Sequence, residues 1–215
     1  MKTQLLMLRH GEPEIRNCLL GRTNPLLTDK GWQQLQIASS KLKDITLVIT
    51  SPLLRCVKFA TDFSNSNNIE LICDDLWQEC NFGEWDGIDY SILKQQQPQK
   101  LASFLDNPAV HTPPNGESLL DFNDRVKSAL TKLIENYKGH KILLVTHGGV
   151  IRSLIGDCLK LNTSSDTELI NSPFQQLGIE YGSLSQINYY QDEFIYSQMI
   201  YMNQLPSDES CNQHE

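Results

Sequence analysis

The sequence predicts an α/β fold: a three-layer sandwich with a mostly parallel central sheet and helices on both faces. Three observations point there. Short apolar runs take turns with longer stretches of helical periodicity, the order expected when helices connect the strands of one sheet. The runs QLLMLR, LVIT and ILLVT do not alternate apolar with polar residues, which suits strands covered on both sides. One stretch, Asn81–Gly116, breaks the rhythm with glycines, QQQPQ and NPAVHTPPNG, and reads as a partly helical insertion over the carboxyl ends of the strands.

In chain order, Gln4–Arg9 is the first expected strand, closed by His10-Gly11. Asp29–Leu42 places Trp32, Leu35, Ala38 and Leu42 at helical spacing behind Thr28, a good N-cap. Leu47–Thr50 is the second strand, and Ser51-Pro52 is read as the cap and first-turn proline of a helix over Pro52–Ser64. A third strand, Glu70–Cys73, leads to the insertion. Leu119–Tyr137 then carries Leu119, Phe122, Val126, Leu130, Leu133 and Tyr137 on one face, with Ser118 and Asp121 as a capping box. Lys141–Thr146 is a strand and Val150–Leu159 a helix behind Gly148-Gly149. Leu184–Tyr190 and Phe194–Tyr201, separated by a short polar link, form an antiparallel hairpin at the sheet edge. The polar end, 206–215, is expected to be a disordered tail behind a single domain spanning 1–205.

Bulk properties narrow the partners. The 215 residues carry a net charge of −8 and no basic face, which argues against nucleic acid. An anionic ligand would need a local positive pocket in an acidic surface. The six cysteines (18, 56, 73, 80, 158 and 211) form no CxxC pair and no metal-type spacing with histidine, so neither a metal nor another cofactor is expected. They read as reduced thiols of a cytoplasmic protein. No apolar run is long enough to span a membrane.

Ligands of open parallel sheets bind beyond the carboxyl ends of the strands. Three such ends converge here: Arg9-His10-Gly11, SPLLR with Arg55, and VTHGGVIR with His147 and Gly148. Guanidinium forks suit phosphoryl oxygens better than lysine point charges do. A neutral imidazole is a competent nucleophile toward phosphorus. The glycines at 11, 148 and 149 are expected to let backbone approach a ligand. A proton donor for the leaving oxygen is sought in QECNFGEWDG, where Glu79, Glu84 and Asp86 are the candidates. Glu79, set among Leu76, Trp77, Phe82 and Trp85, is the best of the three as a partly desolvated acid, and Asp86 beside Gly87 reads as a turn or cap residue.

The blocks LRHGE, SPLLRCVKFA, QECNFGEWDG, PPNGES and VTHGGVIR, in this order, resemble the histidine phosphatase superfamily of phosphoglycerate-mutase-like proteins over about Leu5 to Ile155. The resemblance implies that His10 is the nucleophile, that Arg9, Arg55 and His147 bind the phosphoryl group, and that Glu79 is the proton donor. It also implies further substrate contacts at Asn17, Gly21, Arg22, Thr23 and Gly148. Family members often carry Asn six residues after the nucleophile, where this chain has Arg16, with Asn17 next. Within the superfamily the blocks look most like the bacterial α-ribazole-5′-phosphate phosphatases of cobalamin assembly. The implied partner is a small phosphomonoester, and a homodimer is left open. A broad-specificity phosphatase, a phosphoglycerate mutase and a non-catalytic phosphate-binding module are the alternatives. The chain is short for a mutase.

Overall fold

The computed structural model describes residues 1–161 and 167–205. Six strands form one sheet in the order β3-β2-β4-β1-β5-β6. They are β1 (Lys2–Arg9), β2 (Leu47–Thr50), β3 (Leu71–Cys73), β4 (Lys141–Thr146), β5 (Leu184–Gln191) and β6 (Ile195–Gln204). The first four in space run parallel, whereas β5 is antiparallel to β1 and β6 to β5. The mostly parallel sheet with an antiparallel edge hairpin is therefore as expected.

The non-alternating strand sequences have a direct cause in the two buried faces. From β1, Leu5 and Met7 enter one core and Leu6 and Leu8 the other. The first core packs against α5 (Leu119–Asn136), α6 (Gly148–Cys158) and α7 (Thr167–Gln176) through residues such as Phe122, Ile151 and Ile170. The second packs against α1 (Asp29–Ser39) and α2 (Leu54–Asn67) through Leu35, Ala38, Phe59 and Ala60. Thr28 caps α1 by accepting from the Gly31 amide at 3.0 Å, and Ser118 caps α5 through the Asp121 amide at 3.0 Å.

One helix start and one whole helix differ most from the sequence reading. Helix α2 starts at Leu54, with Leu53 as its N-cap and no side-chain cap bond. The Ser51 hydroxyl instead accepts weakly from the Leu53 amide and turns to His147, so Ser51-Pro52 is a tight link out of β2. Helix α7 was not foreseen: Pro173 lies inside it and its sequence is largely polar. The expected tail at 206–215 lies outside the described residues. Among the described residues no helix is long and apolar enough to cross a membrane.

The insertion is partly helical, as expected, with α3 (Tyr90–Gln96) and α4 (Pro98–Asp106) following a short turn over Gly83–Trp85. Its Trp85, Leu93 and Leu101 form a small core with Leu19 of the loop after β1, flanked by Phe82, Ile88, Tyr90 and Phe104. Both Trp77 and Trp85 are fully buried and pack the structure.

Candidate active site

Parallel strands β1, β2 and β4 end side by side, and their carboxyl ends deliver the site. The His10 amide donates to the Thr146 carbonyl at 2.9 Å, and the Ser51 amide donates to the Val145 carbonyl at 3.1 Å. The sequence that leaves each strand therefore starts at the same level. His10 and His147 stand with ring centroids 5.2 Å apart, both buried.

The tautomer of His10 follows from its partner. Nδ1 lies 2.8 Å from the Gly11 carbonyl oxygen. A carbonyl only accepts, so Nδ1 holds the proton and Nε2 keeps its lone pair. Burial, reinforced by the Arg55 and Arg9 guanidiniums, pushes the His10 pKa well below the usual histidine value. The ring is neutral at physiological pH, the state a nucleophile needs.

His147 is held differently. Arg55 Nε donates to its Nδ1 at 3.3 Å, which leaves the Nε2–H to donate to the Ser51 hydroxyl at 2.7 Å. Burial first, then Arg55 and His10, keeps this ring neutral as well. Arg55 donates further to the carbonyls of Thr23 at 2.8 Å, Gly21 at 2.7 Å and Leu20 at 3.2 Å. It thus fastens the loop 20–23 to the mouth of the sheet. Arg9 donates through one terminal nitrogen to the Ile179 carbonyl and lies 3.9 Å from the centroid of the Tyr181 ring. Its Nε is buried without a partner among the described residues. An unsatisfied buried donor on a cation is costly, and an oxyanion removes that cost.

Glu79 is the acid that the fold brings here. Its Oε2 accepts from the Gly149 amide and its Oε1 from the Cys80 amide, each at 2.9 Å. A Cβ at Gly149 would lie 2.1 Å from Oε1, so glycine there makes room for this carboxyl group. The segment carrying Glu79 is tied down from two sides. Thr146 donates to the Trp77 carbonyl at 2.9 Å. Arg125 of α5 donates to the carbonyls of Leu76, Gln78 and Glu79 and forms a two-pronged pair with Glu117, both prongs at 2.8 Å. The other acidic candidates are engaged elsewhere: Glu84 accepts from Asn115, and Asp86 accepts from the amides of Gly21, Arg22 and Thr23.

That last contact bears on the loop expected to contact substrate: the amides of Gly21 and Thr23 are bound to Asp86 and their carbonyls to Arg55. Gly11 is also used internally, since a Cβ there would meet the Gly31 carbonyl oxygen at 2.0 Å. Asn17 is exposed, with a left-handed backbone (φ 59°) and its carbonyl accepting from the Tyr90 amide, while Arg16 pairs with Glu12 at 3.2 Å on the surface. Neither joins the His10 cluster. Arg22 is half-buried on the rim, within electrostatic reach of His147 and of the Glu117–Arg125 pair.

Three members of the site were missed by sequence reasoning. Ser51 orients His147; Tyr181, from the turn before β5, stacks on Arg9 and lies 5.5 Å from His10; Arg152 enters from α6. Arg152 stood in VTHGGVIR, five residues past His147, and its place in the first turns of a helix at the sheet mouth was the available signal. Gly148 sits between the two arginines: its Cβ position is 3.3 Å from Arg152 and 3.4 Å from Arg9 Nε. From Glu79, Gly149 and Arg152 a cavity of about 500 Å³ opens toward the insertion, walled by Leu19, Phe82, Phe104, Leu119 and Phe174.

Comparison with known proteins gives the family. The family model described as histidine phosphatase superfamily (branch 1) matches residues 5–200. A bifunctional protein of Mycobacterium tuberculosis is 31% identical over 195 residues, which is 88% of this chain and 51% of that protein. The chain spans about half the length of the curated relatives it matches first. Among solved structures, a mycobacterial hydrolase superposes with a TM-score of 0.84 at 22% identity, covering 97% of this chain and 94% of the other. The α-ribazole phosphatase from Shigella flexneri superposes with a TM-score of 0.80 at 24% identity, covering 94% and 96%. At these identities the two structures speak to the fold.

Proposed function

The chain belongs to the histidine phosphatase superfamily, and on that footing we propose that it hydrolyses phosphomonoesters through a phosphohistidine formed on His10. The observation that carries the reading is the His10 tautomer: Nδ1 is fixed on the Gly11 carbonyl, so the bare Nε2 is the nucleophile. In the first step the Nε2 lone pair forms the N–P bond while the P–O bond to the alcohol breaks. Glu79, in its protonated form, gives its proton to the departing oxygen. In the second step water forms a new P–O bond, its proton passes to the Glu79 carboxylate, and the N–P electron pair returns to Nε2. The unpartnered Arg9 Nε and the remaining Arg55 N–H take phosphoryl oxygens. His147 joins them by exchanging Ser51 for a phosphoryl oxygen. Positioning and charge stabilisation of this kind are what phosphoryl transfer needs.

The cavity supports a finer reading. Its aromatic and aliphatic walls fit an alcohol half with a flat apolar ring, and a three-carbon phosphoglycerate would leave most of that surface uncontacted. Together with the motif blocks this favours α-ribazole 5′-phosphate, the substrate of a cobalamin-assembly phosphatase. The test is turnover in EDTA of α-ribazole 5′-phosphate, 3-phosphoglycerate with its bisphosphate, and a panel of sugar and nucleoside monophosphates, with His10→Ala in parallel. Selective hydrolysis of the ribazole ester, lost with His10, is expected. Uniform slow hydrolysis withdraws the substrate, isomerisation without phosphate release makes the protein a mutase, and His10-independent turnover overturns the chemistry.

A further inference from the structure

Arg152 has no part in the mechanism above, yet it reaches the site. Its Nε donates to the Leu177 carbonyl at 2.8 Å, which anchors the side chain between α6 and the segment after α7. No hydrogen-bond partner for its two terminal nitrogens appears among the described residues, and the residue lines the cavity together with Glu79, Gly149 and Tyr90. One terminal nitrogen lies 3.3 Å from the Gly148 Cβ position, against which Arg9 Nε also closes at 3.4 Å. Two guanidiniums therefore converge on one glycine with no carboxylate bridging them. Glu79 and Glu180 attract Arg152, while burial opposes its charge. Leu19, Phe82, Phe104, Leu119 and Phe174 give that cavity apolar walls, and Asp106, Glu117 and Gln175 add polar groups to its lining. A cation whose stem is tied and whose fork has no partner among the described residues, facing a chamber with apolar walls, is built to receive an acceptor.

We infer that Arg152 is a specificity-determining residue: it selects phosphomonoesters whose alcohol half carries a hydrogen-bond acceptor beside an apolar ring. Carboxylate, hydroxyl and ring-nitrogen acceptors share the chemistry that the guanidinium reads. The inference rests on the phosphomonoesterase reading and goes beyond it by naming what the leaving group must offer. Charge-assisted hydrogen bonds of this kind correspond to selectivities of about ten-fold to a hundred-fold.

The experiment compares kcat/KM for phenyl phosphate, 3-(hydroxymethyl)phenyl phosphate and 3-carboxyphenyl phosphate in the wild type, Arg152→Met and Arg152→Lys. The ring is constant, so the ratios isolate the acceptor. The wild type is expected to prefer the carboxyphenyl ester over the phenyl ester by at least about ten-fold. The hydroxymethyl ester should fall between them. Arg152→Met should bring all three together, and Arg152→Lys should restore part of the carboxylate preference but little of the hydroxyl preference, because it returns charge without the fork. A wild-type ratio near one, with the esters still hydrolysed, overturns this inference and leaves the phosphomonoesterase reading intact. A Met variant that slows all three esters equally also overturns it, because Arg152 then belongs to the phosphoryl clamp. If the wild type hydrolyses none of the esters, the phosphomonoesterase reading itself has failed. Should Arg152→Met not fold, the Lys variant decides: it must separate the carboxylate from the hydroxyl ester more than the wild type does.

Discussion

Replacing Gly149 by alanine adds one methyl group at the point where the backbone holds the Glu79 carboxyl group, the proposed proton donor. The new Cβ would sit 2.1 Å from Glu79 Oε1, 2.9 Å from Cδ and 3.2 Å from Oε2. To reach ordinary contact the carboxyl group must retreat by about 1 Å, since carbon and oxygen repel steeply inside roughly 3.2 Å. That retreat breaks the 2.9 Å bond from the Gly149 amide and moves the acid off the leaving oxygen. A displacement of this size costs on the order of 10²-fold in rate, or about 2.7 kcal/mol of transition-state stabilisation. Stability should change far less. Alanine gains up to about 1 kcal/mol over glycine within a helix. Leaving the buried Gly149 amide without its acceptor costs about 1–3 kcal/mol. The net loss, up to about 2 kcal/mol, lowers Tm by a few degrees in a chain of this size. The assay is p-nitrophenyl phosphate turnover in EDTA beside a thermal melt, with Glu79→Gln and the double variant included. Because both changes act through one carboxyl group, the double variant should be no more than a few-fold slower than Glu79→Gln alone. A Gly149→Ala enzyme with wild-type kcat, or a fully additive double variant, would refute the reasoning.

Other perturbations reach the site through its supports. Arg125→Met leaves the part-buried Glu117 carboxylate without its partner and frees three carbonyls of the Glu79 segment, so a loss of about 3–5 kcal/mol in urea unfolding is expected. At temperatures where that variant is still folded, kcat should fall more than KM rises. Asp86→Ala removes the acceptor for three successive amides, and hydrogen exchange at Gly21, Arg22 and Thr23 should speed up along with a rise in KM. The histidines predict a pH dependence of known sign. His10 and His147 have folded pKa values depressed below their unfolded values, so below about pH 6.5 the unfolded chain binds more protons. Stability is therefore full above pH 6.5 and lost as pH falls, by up to about 1.4 kcal/mol per pH unit for each histidine. Equilibrium unfolding between pH 7.5 and 5.5 checks this, and a flat profile refutes the neutral assignment.

The strand ends were readable because a doubly covered parallel strand cannot alternate, so β1, β2 and β4 each announced where its apolar run stopped. The residues just beyond them, Arg9, His10, Arg55 and His147, followed from that rule and from the chemistry of oxyanions. Glu79 was reachable through its apolar neighbours. What stayed hidden depends on contacts between distant segments. Nothing local in EYGS tells that Tyr181 folds over Arg9, and the amides of 21–23 look free until Asp86 arrives from more than sixty residues away. Helix α7 was obscured by its internal proline. The start of α2 was misplaced because Ser51 looks like a cap, whereas its hydroxyl orients an imidazole.

The two halves of the site rest on different foundations. His10 follows a strand flanked on both sides, β4 and β5, with both faces in the main cores. Part of the cavity wall comes from the insertion, through Phe82, Tyr90, Phe104 and Leu105, and the small core beneath it joins only Trp85, Leu93 and Leu101 to Leu19. Substitutions in that small core, away from Asp86, disturb a satellite and leave the strand that carries His10 in place. Drift at Phe82, Phe104 or Leu105 can therefore reshape part of the cavity wall while the strand ends stay as they are. The reacting end, by contrast, tolerates almost no experiment.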